Sequence, residues 1–343
     1  MKADSYNLNW DVCGQKRATR FLQSAIQNKM LSHAYLFYGS QGVGKYTLAK
    51  EFAKTIMCVA TSGEKPCGKC FSCKQMNHGS HLDFFIIERM ADEKKGKLKK
   101  EIVIDQIRDL KSRLQQGTLL NSYKVAIIPE AQYLNGSSFS GMLKILEEPA
   151  PKNIIILITD DISRMPRTII SRCQTIKFGS VASSEIEEYL IGKNFNQEES
   201  KLLSKIACGR PGKALGLAYN HDRREKYFSG INLFFEILRV NLHSRFNLIN
   251  NFMDFESGDA GDKSRAGSLL EDWQSIVRDI ILFQNNSEEL ISNFQNISQI
   301  EQAGSVISPS KLENFLYGID QAKRYLGLNI NHKLIIENLI IRL

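Results

Sequence analysis

The sequence predicts an α/β protein with a mostly parallel sheet, extended by an all-helical region. Three observations carry that reading. Strand-sized apolar runs alternate with helix-periodic segments from residue 34 to 178. A glycine-rich turn, Gly39-Ser40-Gln41-Gly42-Val43-Gly44-Lys45, lies directly between one such strand and one such helix. Beyond Gly179 the pattern is helical only.

The elements follow in order. Ala18, Phe21, Leu22, Ala25, Ile26 and Met30 recur at three- and four-residue spacing and predict a helix over 16–30. The apolar run 34–38 reads as a strand feeding the glycine-rich turn. A second helix follows, with Leu48, Ala49, Phe52, Ala53, Ile56 and Met57 on one side. The Cys-rich stretch 58–73 comes next, then a strand over 83–88 and a charged loop, 92–100, turning at Gly96. Helices are expected over 102–114, 137–146 and 166–171, and strands over 124–128, 154–159 and 174–178. Ser183-Ser184-Glu185-Ile186 is a helix start with serine as cap. Gly209-Arg210-Pro211-Gly212 breaks the region after it. From residue 221 onward about five helices and no strand are expected.

Composition bounds the function. The chain has 343 residues, 43% hydrophobic and 24% charged, near the globular average. That argues against a disordered chain, a collagen-like repeat or a disulfide-stapled miniprotein. No apolar run approaches the roughly 18 residues of a membrane span. The first residues carry no signal-like apolar stretch, so a cytoplasmic location is expected. Net charge is +8 and uneven: residues 1–220 hold 32 basic and 21 acidic side chains, and 221–343 hold 13 and 16. A polyanion would meet the N-terminal part. Lys94, Lys95, Lys97, Lys99 and Lys100 crowd one loop, read as a solvated hairpin tip or as phosphate contacts.

The turn 39–45 has the form of a phosphate-binding loop. Glycines let backbone N–H groups converge on phosphate oxygens, the helix N-terminus adds positive charge, and Lys45 reaches the terminal phosphates. Gly39, Gly42, Gly44 and Lys45 are the candidate residues. The motif should end in Ser or Thr, whose hydroxyl binds Mg²⁺. Here Tyr46 stands there, and Thr47 comes one residue late. A P-loop ATPase also needs a strand ending in Asp-Glu, for Mg²⁺ and for water. Pro129 replaces that aspartate, while Glu130 remains. Both Mg²⁺ ligands are therefore missing. A retained scaffold that no longer turns over ATP is favoured over nucleotide binding without turnover, and both over hydrolysis.

Seven cysteines in a reducing compartment read as thiols rather than disulfides. Four cluster: Cys67-x2-Cys70-x2-Cys73, with Cys58 nine residues earlier. Four thiolates closely spaced on a loop suit tetrahedral Zn²⁺. An iron–sulfur cluster is the alternative, though the usual following Cys-Pro is absent. His78 and His81 lie near enough to compete as ligands, but read as surface or hydrogen-bonding residues.

Together with Gly14-Gln15, His33-Ala34-Tyr35-Leu36-Phe37, Leu143-Lys144-Ile145-Leu146-Glu147-Glu148-Pro149 and Thr168-Ile169-Ile170-Ser171-Arg172-Cys173, these motifs give a specific resemblance. Over roughly 10–215 the chain resembles the AAA+ clamp-loader family of bacterial DNA polymerase III, in its delta-prime branch. Residues 220–343 match only in being helical. The resemblance implies an AAA+ P-loop core with an inserted zinc module over 1–178, a small helical lid over 179–219, and an all-helical collar over 220–343 that joins subunits in a ring. It implies a largely ATPase-inactive stator within the polymerase holoenzyme. Its partners would be gamma/tau-type ATPase subunits and a delta subunit, with the sliding clamp and primed DNA reached through the complex. Arg172 would act in trans at a neighbour's γ-phosphate, where a guanidinium neutralises charge building in the transition state. The alternative is that Arg172 pairs with Asp160 or Asp161 at the core edge. Thr159 would be the polar sensor of the γ-phosphate and Lys213 the lid's basic residue, with Arg210 as its competitor. Val12 lies where a purine would rest. An active gamma/tau-type motor would be expected to keep Lys-[Ser/Thr] and Asp-Glu. A stand-alone zinc-containing nucleic-acid-binding protein is a third reading.

Overall fold

Three apolar runs of the sequence become the centre of a five-stranded, all-parallel sheet. A computed structural model describes residues 6–92, 97–118, 122–253, 260–328 and 330–343. The strand order is Phe84–Ile86, Lys124–Ile128, Asn153–Thr159, Ala34–Tyr38, Gln174–Lys177. Every pairing is parallel, with Leu36 opposite Leu157 and Ile127 opposite Ile156. Parallel strands covered on both faces read as continuous apolar runs. Accordingly all residues of Lys124–Ile128 and Asn153–Thr159 are buried. The edge strands are short and partly exposed, which limits unwanted pairing.

The sheet separates two cores. On one face Tyr35, Phe37, Ile127 and Ile156 pack with Leu48, Phe52 and Met57 of the helix Lys45–Met57. On the other face Leu36, Ala126 and Leu157 pack with Ile107 and Leu110 of Ile104–Gln115 and Met142 of Gly136–Glu147. Period-two alternation thus sends neighbouring residues of one strand into different cores. Trp10 closes one end, its indole N–H donating to Thr55 Oγ1 at 2.8 Å.

The chain divides into two compact units, Met1–Tyr189 with Gly209–Gly212, and Leu190–Cys208 with Lys213–Leu343. The second is all-helical among its described residues. From residue 221 it has six described α-helices rather than about five: His221–Arg239, Leu242–Met253, Ala260–Gln284, Ile297–Val306, Pro309–Leu326 and His332–Ile340. Several boundaries are set by asparagine rather than glycine or proline. Asn220, Asn241 and Asn331 accept backbone N–H groups of Arg223, Ser244 and Lys333. Its core centres on Phe234, Trp273 and Phe315, ring centroids 5.9–6.2 Å apart. Tyr227 and Phe235 are buried beside them and Phe228 is half-buried.

Other differences from the sequence reading have physical causes. The break expected at Gly209-Arg210-Pro211-Gly212 falls between the helices Gln197–Ile206 and Pro211–Tyr219, and Pro211 itself belongs to the second, because proline is tolerated where the first N–H has no helical partner. Two-residue strands Asn7–Leu8 and Glu64–Lys65 pair in parallel and are too short and polar to signal themselves. Ala91–Asp92 pairs with Lys97–Leu98, while the proposed hairpin tip at Lys94, Lys95 and Gly96 lies outside the described residues. Among the described residues no helix is long and apolar enough to cross a membrane.

Candidate functional site

The strand Ala34–Tyr38 runs into the loop 39–44, and the helix Lys45–Met57 leaves it. Gly39 has φ 147°, and a Cβ there would lie 2.3 Å from the Phe178 carbonyl oxygen. Gly44 caps the helix at φ 98°. Glycine is thus required where the loop leaves the sheet and favoured where it enters the helix. Two outside groups hold the loop. The Gln15 side-chain amide donates to the carbonyls of Val43, at 3.0 Å, and Gly179, at 2.7 Å. The Gly212 N–H donates to the Gly42 carbonyl at 2.8 Å. Gly14 lets this arrangement form, since a Cβ there would lie 2.6 Å from Val181 Cγ1.

Lys45 is 8% exposed, and its ammonium donates to the Gly39 carbonyl and, at 2.7 Å, to the Ser40 carbonyl. Its charge is therefore spent on its own loop. Burial lowers its pKa, and the Asp160 carboxylate opposes that shift. Tyr46, Glu88, Arg89, Pro129 and Glu130 line one cleft of about 390 Å³. The two departures from the ATPase motif, 83 positions apart in the sequence, thus meet at one place. Burial, with the nearby Glu88 charge, raises the Tyr46 phenol's pKa. Glu130 is held by both edges of Arg89: Nε to Oε2 at 3.0 Å and Nη2 to Oε1 at 3.1 Å. That guanidinium also lies 4.0 Å from the Tyr133 ring centroid. A bidentate pair of this kind fixes a carboxylate and occupies one acceptor site on each oxygen.

The remaining candidates fall elsewhere. Thr47 is exposed on the helix. Thr159 is buried, and its hydroxyl donates to the Asp161 carbonyl at 3.0 Å while accepting the Asp161 N–H at 3.2 Å. Lys213 belongs to the second unit, where it pairs with Asp272 at 3.4 Å and lies 4.6 Å from the Tyr227 ring centroid. Val12 is half-buried against the sheet core. Arg172 pairs with neither Asp160 nor Asp161. It reaches Glu147 Oε1 at 2.7 Å and the Thr168 carbonyl at 3.0 Å. Gln132 donates to Asp160 instead, and Asp161 accepts the Ser163 N–H, so both expected alternative partners are engaged by other groups.

The four clustered cysteines converge. Their sulfurs all lie within 4.8 Å of one another. Cys58 and Cys70 are 3.9 Å apart, and Cys67 and Cys73 4.0 Å. A tetrahedron of Zn–S bonds of about 2.3 Å has an edge of about 3.8 Å, so the set fits a four-coordinate thiophilic ion. Cys70 caps the helix Phe71–His78, and its sulfur accepts the Cys73 N–H at 3.4 Å. Backbone amides of Cys70 and Lys69 lower the Cys67 thiol to about 6, whereas burial raises Cys58 and Cys73. The histidines stay outside the cluster. His81 accepts the Asp83 N–H on Nδ1 at 3.1 Å, which leaves Nε2 to donate to Ser72 Oγ at 3.0 Å. His78 sits exposed in the last turn of its helix.

Sequence reasoning missed Gln15 as a loop clamp, Arg89 as the partner of Glu130, and Glu147 as the partner of Arg172. Gln15 and Glu147 lay in the motifs carrying the resemblance, but nothing marked their contacts. Arg89 had no sequence signal.

A parallel sheet with a phosphate loop after its fourth strand in spatial order defines a P-loop α/β protein. The family described as DNA polymerase III, delta subunit, matches residues 14–182. The chain is 28% identical to the DNA polymerase III subunit delta′ of Bacillus subtilis (strain 168), over 96% of each chain. It is 40% identical to the tau subunit of the same organism over 176 residues, covering 51% of this chain and 30% of that protein. The crystal structure of a DNA polymerase III gamma subunit-related protein from Thermotoga maritima shares the fold, with TM-score 0.53 and 16% identity over 95% of this chain and 97% of that one. The chain belongs to the clamp-loader family of DNA polymerase III subunits.

Proposed function

We propose that the chain is a delta-prime-type clamp-loader subunit, a stator that does not itself hydrolyse ATP. The observation carrying this is the cleft in which Tyr46, Pro129 and the Arg89–Glu130 pair come together. A bulky phenol and a proline occupy the places of both Mg²⁺ ligands, and the carboxylate that would polarise water is tied to a guanidinium. Removing metal and base together leaves little of the charge stabilisation on which phosphoryl transfer depends. The self-satisfied Lys45 supports the same reading.

In this role Arg172 faces ATP held by a neighbouring gamma/tau-type subunit. Its guanidinium would neutralise the γ-phosphoryl oxygens as charge builds on them. Thr159 and Lys213 keep structural rather than sensing duties, consistent with their contacts inside their own units. Residues 1–178 serve as AAA+ core, 179–219 as lid and 220–343 as the collar that joins gamma/tau and delta subunits. The assembly loads a sliding clamp onto primed DNA in the cytoplasm. Cys58, Cys67, Cys70 and Cys73 hold structural Zn²⁺. Four protein ligands leave no open position, so the ion would cross-link the loop rather than catalyse.

A gamma/tau-type motor is the second reading, favoured by the 40% identity to tau over the matched half. The 28% match to delta′ runs through 96% of both chains, but a gamma subunit also matches at 26% over 96% of this chain and 93% of its own, so it is the departures at Tyr46 and Pro129 that support the first. Reconstitution decides. Mixed with gamma/tau and delta subunits, the chain should enter a defined complex at a fixed stoichiometry by native mass spectrometry. A complex that assembles fully without it, or in which it replaces gamma/tau copies, contradicts the stator role. Elemental analysis should find one zinc per chain.

A further inference from the structure

We propose that Glu147 is a positioning residue for Arg172, holding its guanidinium outward for the neighbouring subunit. The proposal rests on the trans role given to Arg172 above. Its physical ground is a two-point hold on a partly exposed guanidinium, beside two acids at a helix C-terminus.

Helix C-termini carry partial negative charge and favour basic side chains. The helices Ile104–Gln115, Gln197–Ile206 and Pro309–Leu326 obey: Arg113, Lys205, and Lys323 with Arg324 occupy their last turns. The helix Gly136–Glu147 ends on Glu147 itself, with Glu148 as its C-cap, so two acids meet the wrong end of the dipole. Lys144 is the one basic residue of that last turn. Two carboxylates there are unfavourable to the helix, and Lys144 offsets them only in part.

The return is found at Arg172. Glu147 Oε1 lies 2.7 Å from Arg172 Nη2, and the Thr168 carbonyl accepts from Nη1 at 3.0 Å. The two terminal nitrogens are thus held at two points, which fixes the plane of the guanidinium. The Arg172 side chain remains 37% exposed and that of Glu147 48%. A pair so open adds little to folding stability. The backbone on either side is rigid: Ile169 is fully buried, and Cys173 packs against the core with its thiol pushed up to about 12 by burial. A fixed backbone, a two-point hold and an open face describe an arginine aimed outward. An ordered arginine loses less freedom on meeting a phosphoryl group, which is the advantage of pre-organisation.

The test uses the assembled complex with gamma/tau-type and delta subunits, clamp and primed DNA, following steady-state ATP turnover. Arg172→Ala is the reference and should lower kcat. Glu147→Gln should lower kcat about two- to fivefold with KM for ATP unchanged, as losing one exposed ion pair predicts. Glu147→Asp should recover most of that loss. Melting of Glu147→Gln should stay at or above wild type, because an acid leaves the helix C-terminus. Normal turnover in Glu147→Gln alongside a fall in Arg172→Ala overturns the positioning role and leaves the trans role standing. A fall accompanied by lost assembly or a lower melting temperature also overturns it, since Glu147 is then structural. Normal turnover in Arg172→Ala overturns the trans role, and the positioning role with it.

Discussion

The cleft beside the phosphate loop and the edge that carries Arg172 are the two halves of the proposed chemistry, and they are built in opposite ways. Beside the phosphate loop, the lysine and the carboxylate retained from the ATPase motif are both satisfied from within. Lys45 donates to its own loop, Glu130 is gripped by Arg89, and Tyr46 and Pro129 line the remaining wall. At the edge, Arg172 stays open to solvent with a single carboxylate and a single carbonyl beside it. One half is closed on itself, and the other is set to meet something outside. In the proposed role the subunit loses its own reaction and still serves its neighbour's, because the two tasks use residues on different elements.

The largest effect that sharpens this contrast comes from changing each half in turn. In the assembled complex, Arg172→Ala should reduce turnover at the one site it faces by about 10³-fold. Lys45→Ala should leave turnover unchanged. Equal losses from both variants would erase the distinction between the halves.

Next in size is the fold that supports the cleft. Phe52 is fully buried, 5.3 Å from the Tyr35 ring centroid and 6.3 Å from that of Trp10. Phe52→Ala should cost about 3–5 kcal/mol in urea unfolding. Gln15→Ala removes two hydrogen bonds at the loop's rim and should cost only about 1–2 kcal/mol. A Gln15 variant as destabilised as the Phe52 variant would place Gln15 in the core's support rather than the loop's.

A smaller effect tests the wall of the cleft. Tyr46→Thr combined with Pro129→Asp returns both missing Mg²⁺ ligands. The pair should gain Mg²⁺-dependent stabilisation by ADP, a melting shift of about 4 °C or less for ligand in moderate excess. Turnover should stay absent while Arg89 holds Glu130. Turnover in the double variant would mean that the Arg89–Glu130 pair opens readily.

Thiol counting gives the finest comparison. Burial pushes Cys13 and Cys173 up to about 12, so neither forms thiolate near neutral pH. Cys208 is exposed. With Zn²⁺ bound, one thiol should react rapidly with an aromatic disulfide at neutral pH. A strong chelator should make further thiols of the quartet react, Cys67 first, because backbone amides lower its pKa. A count unchanged by the chelator would rule out a metal on the cysteine quartet.

Much of the sheet was legible because its signal is local. The strands Ala34–Tyr38 and Lys124–Ile128 have the bounds expected from their apolar runs. The motif departures at Tyr46 and Pro129 were also legible, and the structure brings them to one cleft. What the sequence did not reveal depends on distant pairing. Arg89 meets Glu130 across 41 positions, and Gln15 reaches a carbonyl 164 positions away. Neither residue carries a periodic or composition signal. The mistaken alternative for Arg172 came from proximity in the chain: Asp160 and Asp161 are acidic and near, but Gln132 and Ser163 already engage them. The capping asparagines of the second unit were missed because an N-cap differs from ordinary loop asparagine only in geometry.

The most direct measurement is ATP turnover by the purified chain alone, with Mg²⁺, clamp and primed DNA present. A closed cleft predicts no turnover above background, unchanged by Lys45→Ala. Robust turnover that Lys45→Ala abolishes would contradict it. Tyr46 and Pro129 would then be tolerated in a working site, and the chain would be a motor rather than a stator.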